Sequence, residues 1–307
     1  HVARQLLSTS VFREQANLTK RIHSFHPISF SPDGRYFVSV SYQVPEQPCR
    51  FGSIHYFKRE ETDYLVWSQN DDGLWQSSVV LRGQTNPFSV ISFSPDGSCF
   101  VTGAYSSCRI WSQNDGHWQP VALEGHTNYV NAISFSPNGD YFVSAYRWNN
   151  YRAWSKNDDG HWKSVMLPVR SNDGEVISFS PDSRYFVAGG TDGNCRVWSQ
   201  NDGLWQPIVL EGHTGKILAI SFSPDGRYFV TGCYDGNCRV WSQNDGQWQP
   251  IVLQGYTQCV KAISFSPDGR YFVSASWNDN TCRIWRKNNN VWQSDVLRGH
   301  TSRVNAM

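Results

Sequence analysis

Three side chains of the kinds that carry out nucleophilic catalysis lie close in sequence: the hydroxyl of Thr231, the imidazole of His213 and the carboxylate of Asp235. With an imidazole held between the other two, such a set activates the hydroxyl for attack on an acyl centre. Eight cysteines are a second source of chemistry, as nucleophiles, metal ligands or disulfides. Their positions narrow the choice. Cys108, Cys195, Cys238 and Cys282 each stand three residues before a tryptophan, in one recurring slot. No Cys/His cluster has zinc-finger spacing. His117 and His161 share a slot with Leu74, Leu204, Gln247 and Val291, so no metal is expected there, and no cofactor is expected anywhere. Asp173, Glu175, Lys216 and Lys261 are the remaining charged candidates, and no spacing among them supports a mechanism. An arginine also recurs, at Arg109, Arg152, Arg196, Arg239 and Arg283, and reads as a packing and salt-bridge feature rather than an anion site.

The elements that must position these residues are repeats. The phrase Ser-Phe-Ser-Pro-Asp-Gly, or a near copy, begins at Ser29, Ser92, Ser134, Ser178, Ser221 and Ser264; after a first gap of 63 residues the steps are 42 to 44. Two tryptophan columns keep pace: Trp67, Trp111, Trp154, Trp198, Trp241 and Trp285, then Trp75, Trp118, Trp162, Trp205, Trp248 and Trp292. A period near 43 built of short β-type runs is the signature of a β-propeller blade array. Length alone would suggest about two domains, but each unit buries its faces only against its neighbours, so the array counts as one body. Equivalent cysteine slots on different blades are too far apart for disulfides, and the thiols read as small buried residues in a reducing, cytoplasmic setting.

The clearest unit runs from Lys216 to Gly255. Residues 217–222 are strand-like and mostly apolar. Ser223-Pro-Asp-Gly226 is a turn in which Pro presets φ, Asp bonds its own backbone and Gly accepts positive φ. Residues 228–233 form a second strand, Tyr234-Asp-Gly236 a tight turn and 237–241 a third strand. Asn244-Asp-Gly246 is a hairpin signal. Residues 248–253 are the outermost strand, where Pro250 is tolerable at an edge.

Gly212-His213 before the first strand, Asp235 in the tight turn and Trp241 closing the third strand resemble the glycine-histidine and tryptophan-aspartate pattern of WD40 repeats. The resemblance covers roughly residues 12 to 303 and departs in one respect: the residue after the tryptophan is Ser, or Arg286, never Asp. It implies an all-β, WD40-type β-propeller, with six full four-stranded blades and a partial seventh. It also implies a structural hydrogen-bond relay of Trp241, Thr231, His213 and Asp235. A threonine whose hydroxyl serves a buried indole is a poor nucleophile, so the relay reading displaces the catalytic one. Only this blade keeps all four members. The second has Gln84 for His and no turn Asp. The third keeps His126 and Ser144 but places Trp148 at the Asp position. The fourth keeps Asp192 with Ala188 and no His. The sixth keeps Ser274, Asp279 and Trp285 with Tyr256 for His. Blades with broken relays are expected to be looser at the turn.

Where the copies disagree, a binding surface is expected. The lower hairpins repeat as Ser68-Gln-Asn-Asp, Ser112-Gln-Asn-Asp, Ser199-Gln-Asn-Asp and Ser242-Gln-Asn-Asp. The opposite, upper face varies at Pro87, Ser89, Tyr129, Asn131, Asp173, Glu175, Lys216, Leu218, Cys259, Lys261 and Arg303. Its turns add Tyr105, Arg147, Trp148, Thr191, Tyr234, Trp277 and Asn278. Twelve of the 14 tryptophans fill the two columns, and the other two, Trp148 and Trp277, fall in these turns. Exposed Trp, Tyr and Arg are the types that anchor protein contacts. The partner-contacting set is therefore expected to be Tyr105, Tyr129, Asn131, Arg147, Trp148, Lys216, Leu218, Tyr234, Lys261, Trp277 and Arg303. An alternative for the two tryptophans is that each folds back over its own damaged relay. An aromatic-rich insert at Tyr42 to Asp63 in the first blade opens on the same face.

A net charge of +1 gives no argument for nucleic acid or an anionic membrane, and no apolar run approaches the roughly 18 residues of a span. The chain begins at His1 rather than Met and is expected to be a segment of a longer protein, with residues 1–11 preceding the propeller at 12–307. Residues 298–307 copy the start of a blade and Phe12 to Leu18 copy an outer strand, so a seventh blade is expected to be shared between the ends. The functional expectation is a non-enzymatic scaffold or adaptor that binds a protein or peptide on the upper face within a larger complex. The rivals are a substrate-recognition subunit of a ubiquitin ligase of the F-box/WD40 kind, which depends on sequence upstream of His1, and an enzyme or glycan-binding propeller with an axial site.

Overall fold

The computed structural model describes residues 28–42, 62–84, 90–104, 106–146, 150–167, 176–201, 203–256, 258–277, 279–289, 291–300 and 304. Among them there is no α-helix. Twenty-four strands form six four-stranded antiparallel sheets, each hydrogen-bonded in chain order. No helix among these residues is long and apolar enough to cross a membrane.

The fifth sheet shows how the repeat makes its strands: Ile217–Phe222, Tyr228–Cys233, Cys238–Asn244 and Gln247–Leu253. In the first turn, Gly226 N–H bonds back to Ser223 O at 2.9 Å. The Ser223 hydroxyl donates to Asp225 at 2.6 Å and accepts Tyr228 N–H at 3.0 Å. The third strand runs on past Trp241 to Asn244, beyond the end expected from the sequence. Its hairpin is the two-residue Asp245-Gly246, with φ of 49° and 77°, and Asn244 pairs directly with Gln247. Both central residues are left-handed, the geometry whose twist matches that of the paired strands.

Each sheet has an aliphatic and an aromatic face, and the core lies between sheets rather than within them. The chain divides into two compact units, His1–Tyr105 with Arg109–Val121, and Ser106–Cys108 with Ala122–Met307. In the first, Val38, Tyr64 and Val66 pack against Phe93, Phe100, Trp111 and Trp118. In the second the arrangement recurs: Val187, Val197 and Leu210 of the fourth sheet meet Phe222, Phe229 and Trp241 of the fifth. Val230, Val240 and Leu253 of the fifth in turn meet Phe272 and Trp285 of the sixth.

Within each aromatic face a phenylalanine of the second strand sits between the two tryptophan columns. Phe229 stacks on Trp241 (5.9 Å, 11°) and meets Trp248 edge-on (4.9 Å, 64°). Phe37, Phe142, Phe186 and Phe272 do the same in their sheets, and Phe100 stacks on Trp111 and meets Trp118 tilted. A tyrosine opening the second strand reaches the next sheet: Tyr141 to Trp205, Tyr185 to Trp248 and Tyr228 to Trp292, each T-shaped. Burying one such side chain contributes roughly 2–3 kcal/mol, and each aromatic pair adds about 1 kcal/mol.

The expected partial seventh blade falls largely outside the described residues. Val304 is described and is buried against Ala262, Ala275 and Cys282 of the sixth sheet. The insert at 43–61 lies outside them too, but it leaves and re-enters on one rung, Tyr42 opposite Thr62.

Candidate binding face

The fifth sheet holds the His/Thr/Asp set together through strand pairing. Thr231 lies on the second strand opposite Arg239 of the third, His213 precedes the first strand, and Asp235 sits in the turn. Trp241 Nε1–H donates to Thr231 Oγ1 at 3.0 Å. His213 Nε2 lies 2.8 Å from the same oxygen and Nδ1 lies 3.0 Å from Asp235. An ionised carboxylate only accepts, so the histidine proton belongs on Nδ1, Nε2 accepts from the threonine hydroxyl, and the indole drives the series. Burial, then the neighbouring Arg239, lowers the His213 pKa to about 4, so the ring is neutral near pH 7. Burial alone would raise the Asp235 pKa. The N–H groups of Asn237 and Thr214, together with His213, hold it well below the usual carboxylate range instead.

Arg239 is a fifth member of this chain. It touches Asp235 at 3.2 Å, abuts His213, and donates to Gly212 O at 2.5 Å. His213, Cys233 and Asp235 also lie within metal-chelating distance, their ligand atoms inside 4.8 Å. These donors are already engaged. Cys233 donates to Gly215 O and accepts Asp235 N–H, burial pushes its thiol up to about 12, and a guanidinium stands alongside. Thr231 is fully buried, so its hydroxyl is out of reach of a substrate.

The other sheets keep different parts of this set. Trp67, Trp111 and Trp154 donate to Ser39, Thr102 and Ser144, each at 2.9 Å. In the third sheet His126 Nε2 lies 2.9 Å from Ser144, while its buried Nδ1 has no hydrogen-bond partner among the described residues; the expected acceptor position is Trp148, outside the described residues. In the fourth sheet Ala188 leaves the buried Trp198 Nε1 without an acceptor among the described residues, and Asp192 turns to Arg196 instead, at 2.6 and 3.3 Å. The sixth sheet fills the gap in its relay with a different group. The Tyr256 hydroxyl spans the space of the missing histidine to reach Ser274 Oγ at 2.8 Å, and Trp285 donates to that oxygen at 2.8 Å. Arg283 lies over the Tyr256 ring at 5.3 Å.

Of the residues expected to contact a partner, Tyr105, Arg147, Trp148 and Arg303 lie outside the described residues. Tyr129, Asn131, Lys216 and Leu218 are half-buried, and Tyr234 is 64% exposed. Tyr234 N–H donates to Lys216 O at 2.8 Å, and Trp277 N–H makes the equivalent bond to Cys259 O at 3.1 Å. The upper turns of the fifth and sixth sheets are therefore tied to the start of their own sheet's first strand. The structure brings Lys261 and Trp277 together, with Nζ 5.5 Å from the ring centroid.

Sequence reasoning missed a feature of this face. The first strands of the third, fifth and sixth sheets each shift register once, and the residues stepped over are Asn131, Leu218 and Lys261. A bulge takes one residue out of the alternation and re-aims its side chain, so each of these three strands turns one variable residue out of its pleat. The phenylalanine between the tryptophan columns was also missed, although it recurs in every second strand.

The family model of the WD domain, G-beta repeat matches the chain at residues 75–112, 118–155, 169–199, 206–242 and 248–286, together more than half of its length. No curated protein matches it.

Proposed function

We propose, from the premise that this chain belongs to the WD-domain, G-beta repeat family, that it is a non-enzymatic scaffold binding a protein or peptide partner on its upper face. Proteins of this family generally serve as protein-interaction scaffolds. The observation that carries the choice of face is the contrast between turns. Lower turns and hairpins repeat almost unchanged, whereas the upper positions change residue type from sheet to sheet, and three of them sit on bulges. The His213, Thr231 and Asp235 set that resembles a catalytic one is committed to the tryptophan relay, and its hydroxyl is buried. All seven described cysteines are free and buried, which supports a reducing, cytoplasmic setting.

The test uses a partner recovered by affinity capture on the intact chain. The double variant Trp277→Ala with Tyr129→Ala is expected to weaken its binding by about 2 kcal/mol or more, with the melting temperature nearly unchanged. Equal weakening by Asp72→Asn with Asp159→Asn, in the lower hairpins, would sink the assignment of the face.

A further inference from the structure

Lys261 joins three features, of which the first is particular to it among the described lysines. It occupies the bulge of the sixth sheet's first strand, where pairing steps from Val260 opposite Ser276 to Ala262 opposite Ala275. Its ammonium lies over the face of Trp277, and it has no carboxylate partner among the described residues. The turn that carries the indole is held in place. Besides the Trp277 N–H to Cys259 O bond, Ser276 N–H closes the turn on Thr281 O at 3.1 Å, and Asp279 N–H bonds Ser276 Oγ at 3.4 Å.

Nor does Trp277 repair the blade's relay, which was the alternative reading for it. Tyr256 fills the histidine's place, and Ser274 already accepts from Trp285. The sheet's arginine is consumed internally, since Arg283 donates to Gly255 O at 2.6 Å and Ser294 Oγ at 3.1 Å. Arg270 and Arg286 of this sheet meet Asp268 and Asp295, and Lys287 donates to the Tyr228 hydroxyl, whereas the Lys261 ammonium is half-sheltered by an aromatic wall and meets no carboxylate among the described residues. An ammonium against an indole face has lost part of its hydration while keeping its charge, which lowers the desolvation cost of meeting an anion.

We propose that Lys261 and Trp277 together recognise an anionic side chain in a partner peptide, with an adjacent apolar side chain of that peptide resting on the indole; this rests on the upper-face reading above. A carboxylate and a phosphorylated side chain share the required chemistry.

The probe is a displayed library of random dodecapeptides selected against the full chain, followed by synthesis of the winning peptide. Winners are expected to carry Asp or Glu beside an apolar residue. Exchanging that acid for its amide, or Lys261→Glu in the protein, is expected to weaken binding at least about tenfold. Lys261→Arg should retain most of the binding, and a peptide with Lys in place of the acid should regain binding to Lys261→Glu. A phosphoserine peptide that binds tighter than the Glu peptide assigns a phosphorylated partner, and one that binds more weakly assigns a carboxylate. Winners without an acid that lose binding on Trp277→Ala but tolerate Lys261→Glu overturn this inference and leave the upper face standing. Winners indifferent to both variants but sensitive to the lower hairpins overturn both, and selection of no peptide overturns the inference.

Discussion

A sealed indole N–H without an acceptor is an energetic debt, and Trp198 carries one because Ala188 stands where the other sheets place Ser or Thr. Ala188→Ser is expected to raise unfolding stability by about 1 kcal/mol, measured by urea titration followed through tryptophan fluorescence. The buried histidines set an acid limit. Both His213 and His126 have folded pKa values near 4, below the ordinary 6.5. Between those values the unfolded chain binds more protons, so stability falls as pH drops from about 6.5 toward 4, with a slope of up to about 1.4 kcal/mol per unit for each ring. Asp235, with its lowered pKa, withdraws its contribution only below the usual carboxylate range. His126→Gln should reduce the slope of this pH profile across the same window in melts at fixed ionic strength. A profile unchanged by the substitution would show that His126 is not its source. The relay of the fifth sheet was legible from residue identity, since His, Thr, Asp and Trp each stand in their family positions. The Tyr256 repair was not, because a tyrosine in a histidine slot says nothing about how far its hydroxyl reaches.

At the scale of turns and strands, Gly193 couples one sheet to the next. Its φ is +79°, and a Cβ there would stand 2.3 Å from the carbonyl oxygen of His213. Gly193→Ala is therefore expected to cost about 2 kcal/mol or more, combining left-handed strain with a backbone collision that no side chain can relieve; thermal melts read it directly. At the equivalent Gly236 the nearest atom is Tyr256 O, at 3.1 Å. The lower turns make their own bridge. Ser183 stands where the motif has Gly, at φ 62°, and accepts the Asn138 N–H of the preceding sheet at 3.0 Å. Strand existence and most boundaries followed from apolar runs punctuated by Pro, Asp and Gly. The bulges escaped notice because register belongs to a pair of strands, and nothing in Val-Lys-Ala-Ile alone marks Lys261 as the residue left out.

For the molecule as a whole, the decisive fact is that apolar layers form between sheets, so no sheet owns a complete core. Val197 is buried in the fourth sheet against Phe222 and Trp241 of the fifth. Val197→Ala, at a cost of about 1–3 kcal/mol, should therefore speed amide exchange at Phe229 and Thr231 in the fifth sheet as well as at Val187 in its own. Exchange confined to the fourth sheet would contradict that coupling. The sequence repeat itself straddles sheets: the segment 206–242 begins in the fourth strand of one and ends in the third strand of the next. Near-identity between sheets has a kinetic consequence. Cys195–Asn201 and Cys238–Asn244 read the same, Cys-Arg-Val-Trp-Ser-Gln-Asn, as do the strand cores that follow them. A collapsing chain can pair the second strand of one sheet with the third strand of its neighbour at almost no local penalty. The upper loops and a few strand and turn residues such as Ala188 and Ser183 tell the copies apart, and refolding must wait while such exchanged pairings come undone.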